Sequence, residues 1–297
     1  MSAFRRTSKR LVGGVESDRY DHNTVDAMSD TWNPTQYDRF QSEREQPFYD
    51  LLTMIRPAPG MRIVDLGCGT GRLTRELHMR LAARETIGID RSLRMLERAS
   101  TTPLPAGLRF ESATIEQFVA GLSASSAESD PPYDLIFSNA ALHWVDHHEA
   151  LLQRLAVALP SGGQLAFQVP AQHDTVTHIT ADEVAQHEPF KTVLCGWRRA
   201  QPVLTPEAYS RLLYRFGFTH PNVRLIVYPH ILAGPEDVVE WVKGTLLTEY
   251  ERHLSPEMFG RFVAEYAERL LPRLERLDPG KPCFFPFKRI LCWGQRA

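Results

Sequence analysis

The sequence predicts an α/β fold, a parallel sheet covered by helices on both faces. Three observations predict it. Short apolar runs alternate with amphipathic helical stretches from about residue 61 to residue 170. The connections between them are short, so the strands must be joined by helical crossovers, which are right-handed. A glycine-rich turn lies between the first apolar run and the first of these helices, where open α/β sheets bind their ligands.

Residues 1–30 are polar, without a sustained period, and start on basic Arg5, Arg6, Lys9 and Arg10. They read as a flexible arm, because no apolar stretch follows to make a secretory signal. Residues 31–60 read as a lid: Trp32, Tyr37 and Phe40 lead into a helical stretch through Phe48, Leu51, Leu52 and Ile55, which Pro57, Pro59 and Gly60 stop.

Residues 61–170 form a core. MRIVDL (61–66) is a buried strand. Residues 72–82 are a helix with Leu73, Leu77 and Leu81 on one face. Residues 86–90 form the second strand, 92–99 a helix, and 108–112 the third strand. GLSASSAESDPP (121–132) reads as a low-complexity loop. Residues 133–138 form the fourth strand, 149–159 a helix and 164–169 the fifth strand.

Residues 171–297 read as a substrate cap with the C-terminal strands. The pattern loosens over 171–203. Thr205-Pro206 then marks an N-cap with Pro at N1, opening a helix that ends at Gly217. A strand over 222–232, helices over 235–247 and 256–277, and a strand over 283–293 complete the chain. The whole of 31–297 is expected to be one domain.

Composition narrows the classes of function. The 297 residues are 43% hydrophobic and 24% charged, as in ordinary globular proteins. Lys plus Arg is 34 and Asp plus Glu is 36, a net charge of -2, so nothing drives the chain globally toward nucleic acid or an anionic membrane. Four scattered cysteines predict no disulfide framework and a reducing, cytoplasmic compartment. No apolar run is long enough to span a bilayer. His143, His147 and His148 have a helical spacing but no carboxylate or thiol partner, so no metal site is expected.

The most informative segment is Val64-Asp65-Leu66-Gly67-Cys68-Gly69-Thr70-Gly71. A P-loop needs Gly-Lys-Ser/Thr, whereas Gly71 is followed by Arg72 and Leu73. A dinucleotide fingerprint needs a small residue where Arg72 stands. Asp65 would repel a pyrophosphate and attract a cation. Asp90, at the end of the second strand, suits the two hydroxyls of a ribose.

This run resembles the first motif of the class I S-adenosylmethionine (SAM) methyltransferases. The resemblance implies a Rossmann-like sheet whose last strand is antiparallel, and SAM as cofactor. It places Asp65, Gly67, Cys68, Gly69, Gly71, Asp90, Arg91 and Asn139 at the cofactor, with Trp32 and Tyr37 folding over the methyl. Thr114 stands where the family usually has an acidic adenine ligand, and Ile115 packs on the ring.

Further motifs narrow the likeness: Trp32-Asn33-Pro34, Ser138-Asn139-Ala140-Ala141-Leu142-His143-Trp144, Gln168-Val169-Pro170, Tyr228-Pro229-His230, Glu240-Trp241-Val242, and Phe285-Pro286-Phe287-Lys288-Arg289. Together they resemble the trans-aconitate 2-methyltransferase family over about residues 30–295. That implies a methyl ester formed on a carboxylate of a small polycarboxylic acid by a monomer that needs neither nucleic acid nor membrane. A carboxylate is ionised at neutral pH, so no catalytic base is expected. His143, Trp144, Tyr228, Trp241 and Arg289 are the expected substrate residues; His173, Arg198, Arg199, His230 and Lys288 are further candidate cations. Ser210 and Leu225 depart from the family pattern within the cap.

Other readings use the same scaffold. One is methylation of a fatty or natural-product acid or hydroxyl, which a mostly apolar pocket with Arg289 turned outward would mark. Another is SAM binding without catalysis. Nucleic-acid methylation is disfavoured, because Ser138-Asn139-Ala140-Ala141 replaces the Asn/Asp-Pro-Pro-Tyr that holds a flipped base.

Overall fold

The structure, a computed structural model, describes residues 41–124, 133–274 and 282–297. Its sheet has seven strands: β1 (Arg62–Leu66), β2 (Glu85–Asp90), β3 (Leu108–Ser112), β4 (Leu135–Asn139), β5 (Gln164–Pro170), β6 (Phe218–Leu232) and β7 (Cys283–Arg296), in the order β3-β2-β1-β4-β5-β7-β6. The first five are parallel. β7 runs antiparallel between β5 and β6. The strand order reverses beside β1, so the glycine turn at its carboxyl end opens into the crevice of the sheet.

Side-chain alternation divides the sheet between two helical layers. Val64, Ile136, Leu165 and Phe167 face α4 (Ile115–Ala124), α5 (His148–Val157) and α8 (Pro206–Arg215). Ile63, Phe137, Ala166, Leu291 and Trp293 face α1 (Gln41–Leu52) and α2 (Arg72–Arg80). Helix α3 (Leu93–Ala99) joins β2 to β3, and the Ser92 side chain accepts a hydrogen bond from Met95 N at its start.

A third apolar cluster builds the cap. β7 has 14 residues and β5 has 7. Residues 283–288 therefore run past β5 and pair with β6 alone. On this overhang Cys283, Phe285 and Phe287 share one face and pack with Trp241, Tyr250, Phe262 and Tyr266. The helices covering it are α6 (Val176–Ala185), α7 (Phe190–Val193), α9 (Glu236–Lys243), α10 (Leu247–Glu251) and α11 (Pro256–Leu270). Arg289 is next on the same face, where the cap core gives way to the layer beneath α1.

Several expectations need correction. Helix α4 was not expected, and it runs into the segment read as a loop from residue 121; residues 125–132 lie outside the described ones. The loose stretch 171–203 contains α6 and α7, whose apolar Val176, Ala181, Val184 and Phe190 bury against α11 and β7. The helix expected over 235–247 breaks at Gly244 into α9 and α10, and the one expected over 256–277 ends at Leu270. β6 begins at Phe218, four residues early, with a register shift between Thr219 and Asn222.

The cap of α8 is as expected: Thr205 Oγ1 accepts from Ala208 N at 3.2 Å, with Pro206 at N1. Thr205→Ala should cost about 1 kcal/mol of stability, and Thr205→Ser should recover most of it. Urea unfolding at constant m-value measures both.

Candidate active site

Sterics shape the turn after β1. Gly67 has φ +77°, and a Cβ there would lie 2.1 Å from the Ala141 Cβ. Gly69 has φ +55° and open space where its side chain would be. Gly67 N and Cys68 N both donate to Ile89 O, at 2.8 and 3.0 Å, and Gly71 N donates to Cys68 O at 3.0 Å. The turn is thereby tied down while its Gly69 face stays open.

Asp65 and Asp90 give this cradle its charge. Asp65 is 3% exposed; Thr74 Oγ1 of α2 donates to its Oδ2 at 2.6 Å. Its Oδ1 is buried and has no hydrogen-bond partner among the described residues. Burial first, and then the nearby Asp90, push its carboxyl up to about 7 against the pull of Thr74. The Asp90 carboxylate accepts from Gly69 N at 2.8 Å and Ser92 N at 2.9 Å, which orients it at the lip of the turn. Each of its oxygens keeps lone-pair capacity for a ribose hydroxyl.

A cationic, ribose-bearing cofactor fits these groups. The orphaned acidic oxygen suits a positive charge, and the empty space over Gly69 admits close approach to the backbone. The same features make a pyrophosphate a poor fit.

The other expected cofactor residues fall around the turn. Burial raises the Cys68 thiol far above its ordinary range, so it fills space and is no nucleophile. Arg91 is exposed beside Asp90. Thr114 forms a reciprocal capping box with Gln117: its N–H donates to Gln117 Oε1 at 2.9 Å, and its Oγ1 accepts from Gln117 N at 3.1 Å. Its hydroxyl proton remains available to a ring nitrogen. Ile115 is buried at the start of α4. Trp32 and Tyr37 lie outside the described residues.

A cavity begins where the turn after β4 crosses the glycine loop. Its walls include Ala140, His143 and Trp144 from that turn, Gln172 and His178 near α6, Arg199 after α7, Trp241 and Glu249 from α9 and α10, and Phe287 and Arg289 from β7. Ala140 precedes the alanine that touches Gly67, so cofactor cradle and cavity share a wall.

Arg289 points into this cavity. It is 7% exposed, its guanidinium lies 4.8 Å from the Phe287 ring centroid, and its Nη1 donates to Gln168 Oε1 at 3.2 Å. Gln168 is fully buried, and its Nε2 donates to Asn139 Oδ1 at 2.7 Å. A hydrogen-bonded chain thus runs from the cavity to the end of β4.

The His143 ring packs at a tilt beside Trp144, centroids 4.7 Å apart, and its Nδ1 is buried without a hydrogen-bond partner among the described residues. Burial first, then Arg289, pull it down to about 3, so it is neutral at physiological pH. Trp144 is 39% exposed at the rim. Trp241 is 1% exposed and stacks on His230, forming wall and core together.

Tyr228 is not brought to the cavity. Its hydroxyl donates to Asp50 Oδ2 of α1 at 2.7 Å, and it does not line the cavity. Lys288 is held by Asp174 at 2.5 Å, and Arg198 bonds Gln186 on the surface. Ser210 and Leu225 do not line the cavity either; Leu225 is 52% exposed on the edge strand β6. The departures from the family pattern thus leave the pocket untouched. Gln172, His178 and Glu249 carry no signal in the sequence, because nothing local in a loop or cap helix marks them.

His148 has a structural role. Its Nε2 donates to Leu142 O at 2.9 Å and its Nδ1 accepts from Tyr209 Oη at 2.5 Å. No group of three or more His, Cys, Asp or Glu among the described residues could hold a metal. No helix among them is long and apolar enough to cross a membrane.

Known proteins resemble the chain in sequence and in fold. A family model described as a methyltransferase domain matches residues 14–221. The chain is 39% identical over 267 residues to the trans-aconitate 2-methyltransferase of Deinococcus radiodurans, covering 88% of this chain and 96% of that one. It is 36% identical over 265 residues to the enzyme of the same name from Streptomyces avermitilis, covering 88% and 95%. In fold it resembles the YcgJ protein of Bacillus subtilis, with a TM-score of 0.55 at 15% identity over 85% of this chain and 99% of that one.

Proposed function

The chain belongs to the trans-aconitate 2-methyltransferase family of SAM-dependent methyltransferases, and from that premise we propose that it forms a methyl ester on a carboxylate of trans-aconitate. The observation that carries this reading is Arg289, buried and turned into a cavity that shares a wall with the cofactor cradle. One buried guanidinium suits any carboxylate, and Arg199, a second one on the same wall, suits a substrate with more than one. On this reading the enzyme acts in the cytoplasm as a monomer, on a free small molecule.

When bound, SAM supplies a methyl on a cationic sulfonium, and its transfer leaves S-adenosylhomocysteine. The residues of the chain have three tasks. Asp65, the glycine turn and Asp90 hold the cofactor by charge, close backbone approach and ribose contact. Arg289, oriented through Gln168 and Asn139, holds a substrate carboxylate that is already ionised, so no side chain must remove a proton. Neutral His143, with its low proton affinity, fits that absence of a base. Trp144 and Trp241 exclude water from the reacting pair, and catalysis rests on alignment in a dry site.

The test is a methyl-transfer assay on trans-aconitate, cis-aconitate, citrate, isocitrate and a medium-chain fatty acid, read by mass spectrometry. The expected result is a trans-aconitate monoester with stoichiometric S-adenosylhomocysteine. Asp90→Ala should weaken SAM binding by about tenfold or more, the worth of hydrogen bonds to a charged acceptor. An ester on the fatty acid alone would keep the reaction class and sink the polycarboxylate.

A further inference from the structure

A tricarboxylate brings more negative charge than one guanidinium answers, and the cavity wall shows where the rest is met. Its histidines are poor candidates. Burial and the neighbouring arginines lower both His143 and His178 to about 3, so neither is cationic near neutral pH. His173 is exposed. Among the described residues, the fixed positive charges on the wall are Arg289 and Arg199.

Arg199 approaches from a different wall than Arg289. It follows α7 and stands beside His178, whereas Arg289 rises from β7 beside His143. Its side chain is 7% exposed, and Nη2 is held by Asp182 Oδ2 at 3.2 Å. The hydroxyl of Tyr250 donates to the other oxygen of Asp182 at 2.7 Å, which fixes that carboxylate in turn. Nε of Arg199, however, is buried with no hydrogen-bond partner among the described residues. Gln172 is 3% exposed, and both its Nε2 and its Oε1 are in the same condition. Folded proteins rarely leave so many buried polar atoms unmatched around one cavity unless a ligand or ordered water completes them.

We propose that Arg199 and Gln172 form a second anion subsite, which holds a carboxylate of the substrate other than the one methylated and so sets the preference for three carboxylates over two. The proposal rests on the trans-aconitate reading above. Asp182 and Tyr250 act as positioning residues for it, keeping the guanidinium turned inward. Glu249, on the same wall, is raised to about 7 by burial, so it competes little for Arg199 below neutral pH.

The experiment pairs deletion of the side chain with deletion of each substrate carboxylate. Binding is measured by calorimetry on protein saturated with S-adenosylhomocysteine, using trans-aconitate and the three dicarboxylates that each lack one of its carboxylates: mesaconate, itaconate and cis-glutaconate. Arg199→Met should weaken trans-aconitate by about 30-fold or more, the usual effect of truncating one partner of a buried charge pair. One dicarboxylate should bind the unaltered protein about that weakly and lose nothing further in Arg199→Met. Gln172→Leu should show the same pattern with a smaller loss.

Arg289→Met should lose its effect on a different dicarboxylate. Equal losses for all four ligands, or insensitivity of both arginine variants to the same missing carboxylate, would overturn the second subsite. Failure of the unaltered protein to bind trans-aconitate while still binding S-adenosylhomocysteine would instead overturn the substrate reading. Retained S-adenosylhomocysteine affinity in each variant shows that it folds.

Discussion

Arg289→Met is expected to lower kcat/KM for trans-aconitate by a factor between about 30 and several thousand, with SAM affinity kept within a few-fold. The range follows from the 2–5 kcal/mol that truncation of one member of a buried, hydrogen-bonded charge pair costs. The upper part of the range is favoured by the environment. Arg289 is packed against Phe287, and its guanidinium is tied to Gln168, so little water screens it and little freedom is lost on binding an anion. Methionine keeps the length and apolar stem of the side chain and removes the charge.

Gln168→Leu supplies the contrast. It leaves the charge in place and cuts the chain to Asn139, so the loss should be smaller and should include kcat, since orientation rather than attraction is impaired. Steady-state kinetics on both variants separates the two. An Arg289→Met enzyme with unchanged kcat/KM would remove the guanidinium from the substrate site.

The cofactor side of this molecule was legible because its signals are local. A strand, an acidic residue, a glycine turn and a helix lie within residues 61–82, and the backbone forces that bring Gly69 N to Asp90 act between adjacent strands. Arg289 was legible through a motif. The resemblance marks it through Phe285-Pro286-Phe287-Lys288-Arg289, and the strand then sets it on the same buried face as Phe285 and Phe287. Tyr228 obeys the same periodicity, opposite Phe287 in the register, yet its hydroxyl goes to Asp50. Only the position of α1, 178 residues away in sequence, decides that.

The cap side was harder to read. Gln172, Arg199 and Glu249 come from two loops and a five-residue helix. They meet because the overhang of β6 and β7 gives the cap helices an apolar face to cover, and no local period predicts which loop residues end up beneath them. Helix α4 escapes the sequence reading because Gly121 to Ala124 opens a stretch that reads as a low-complexity loop, while Ile115, which helps to bury the helix, reads as packing on the cofactor ring.

SAM affinity is expected to fall by about tenfold per pH unit as the pH drops below about 7, and Asp65→Asn should flatten that dependence. The folded protein holds Asp65 at about 7, against a reference of 3.8, chiefly because the carboxyl is buried. The ionised form is the one a cationic cofactor stabilises, so below about 7 binding must first release a proton, and affinity declines as protons become abundant. The stability of the cofactor-free protein carries the opposite sign. Between about 3.8 and 7 the folded state binds more protons at Asp65 than the unfolded chain does, so this group stabilises the empty protein at low pH, and that stability is lost as the pH rises through about 7. The two signs give a measurement that a purely structural role for Asp65 cannot imitate. The rise in Tm that saturating SAM produces should grow from pH 5.5 to 7.5 in the unaltered protein and stay level in Asp65→Asn. A parallel growth in both proteins would place the titrating group elsewhere and leave Asp65 as a buttress for Thr74 alone.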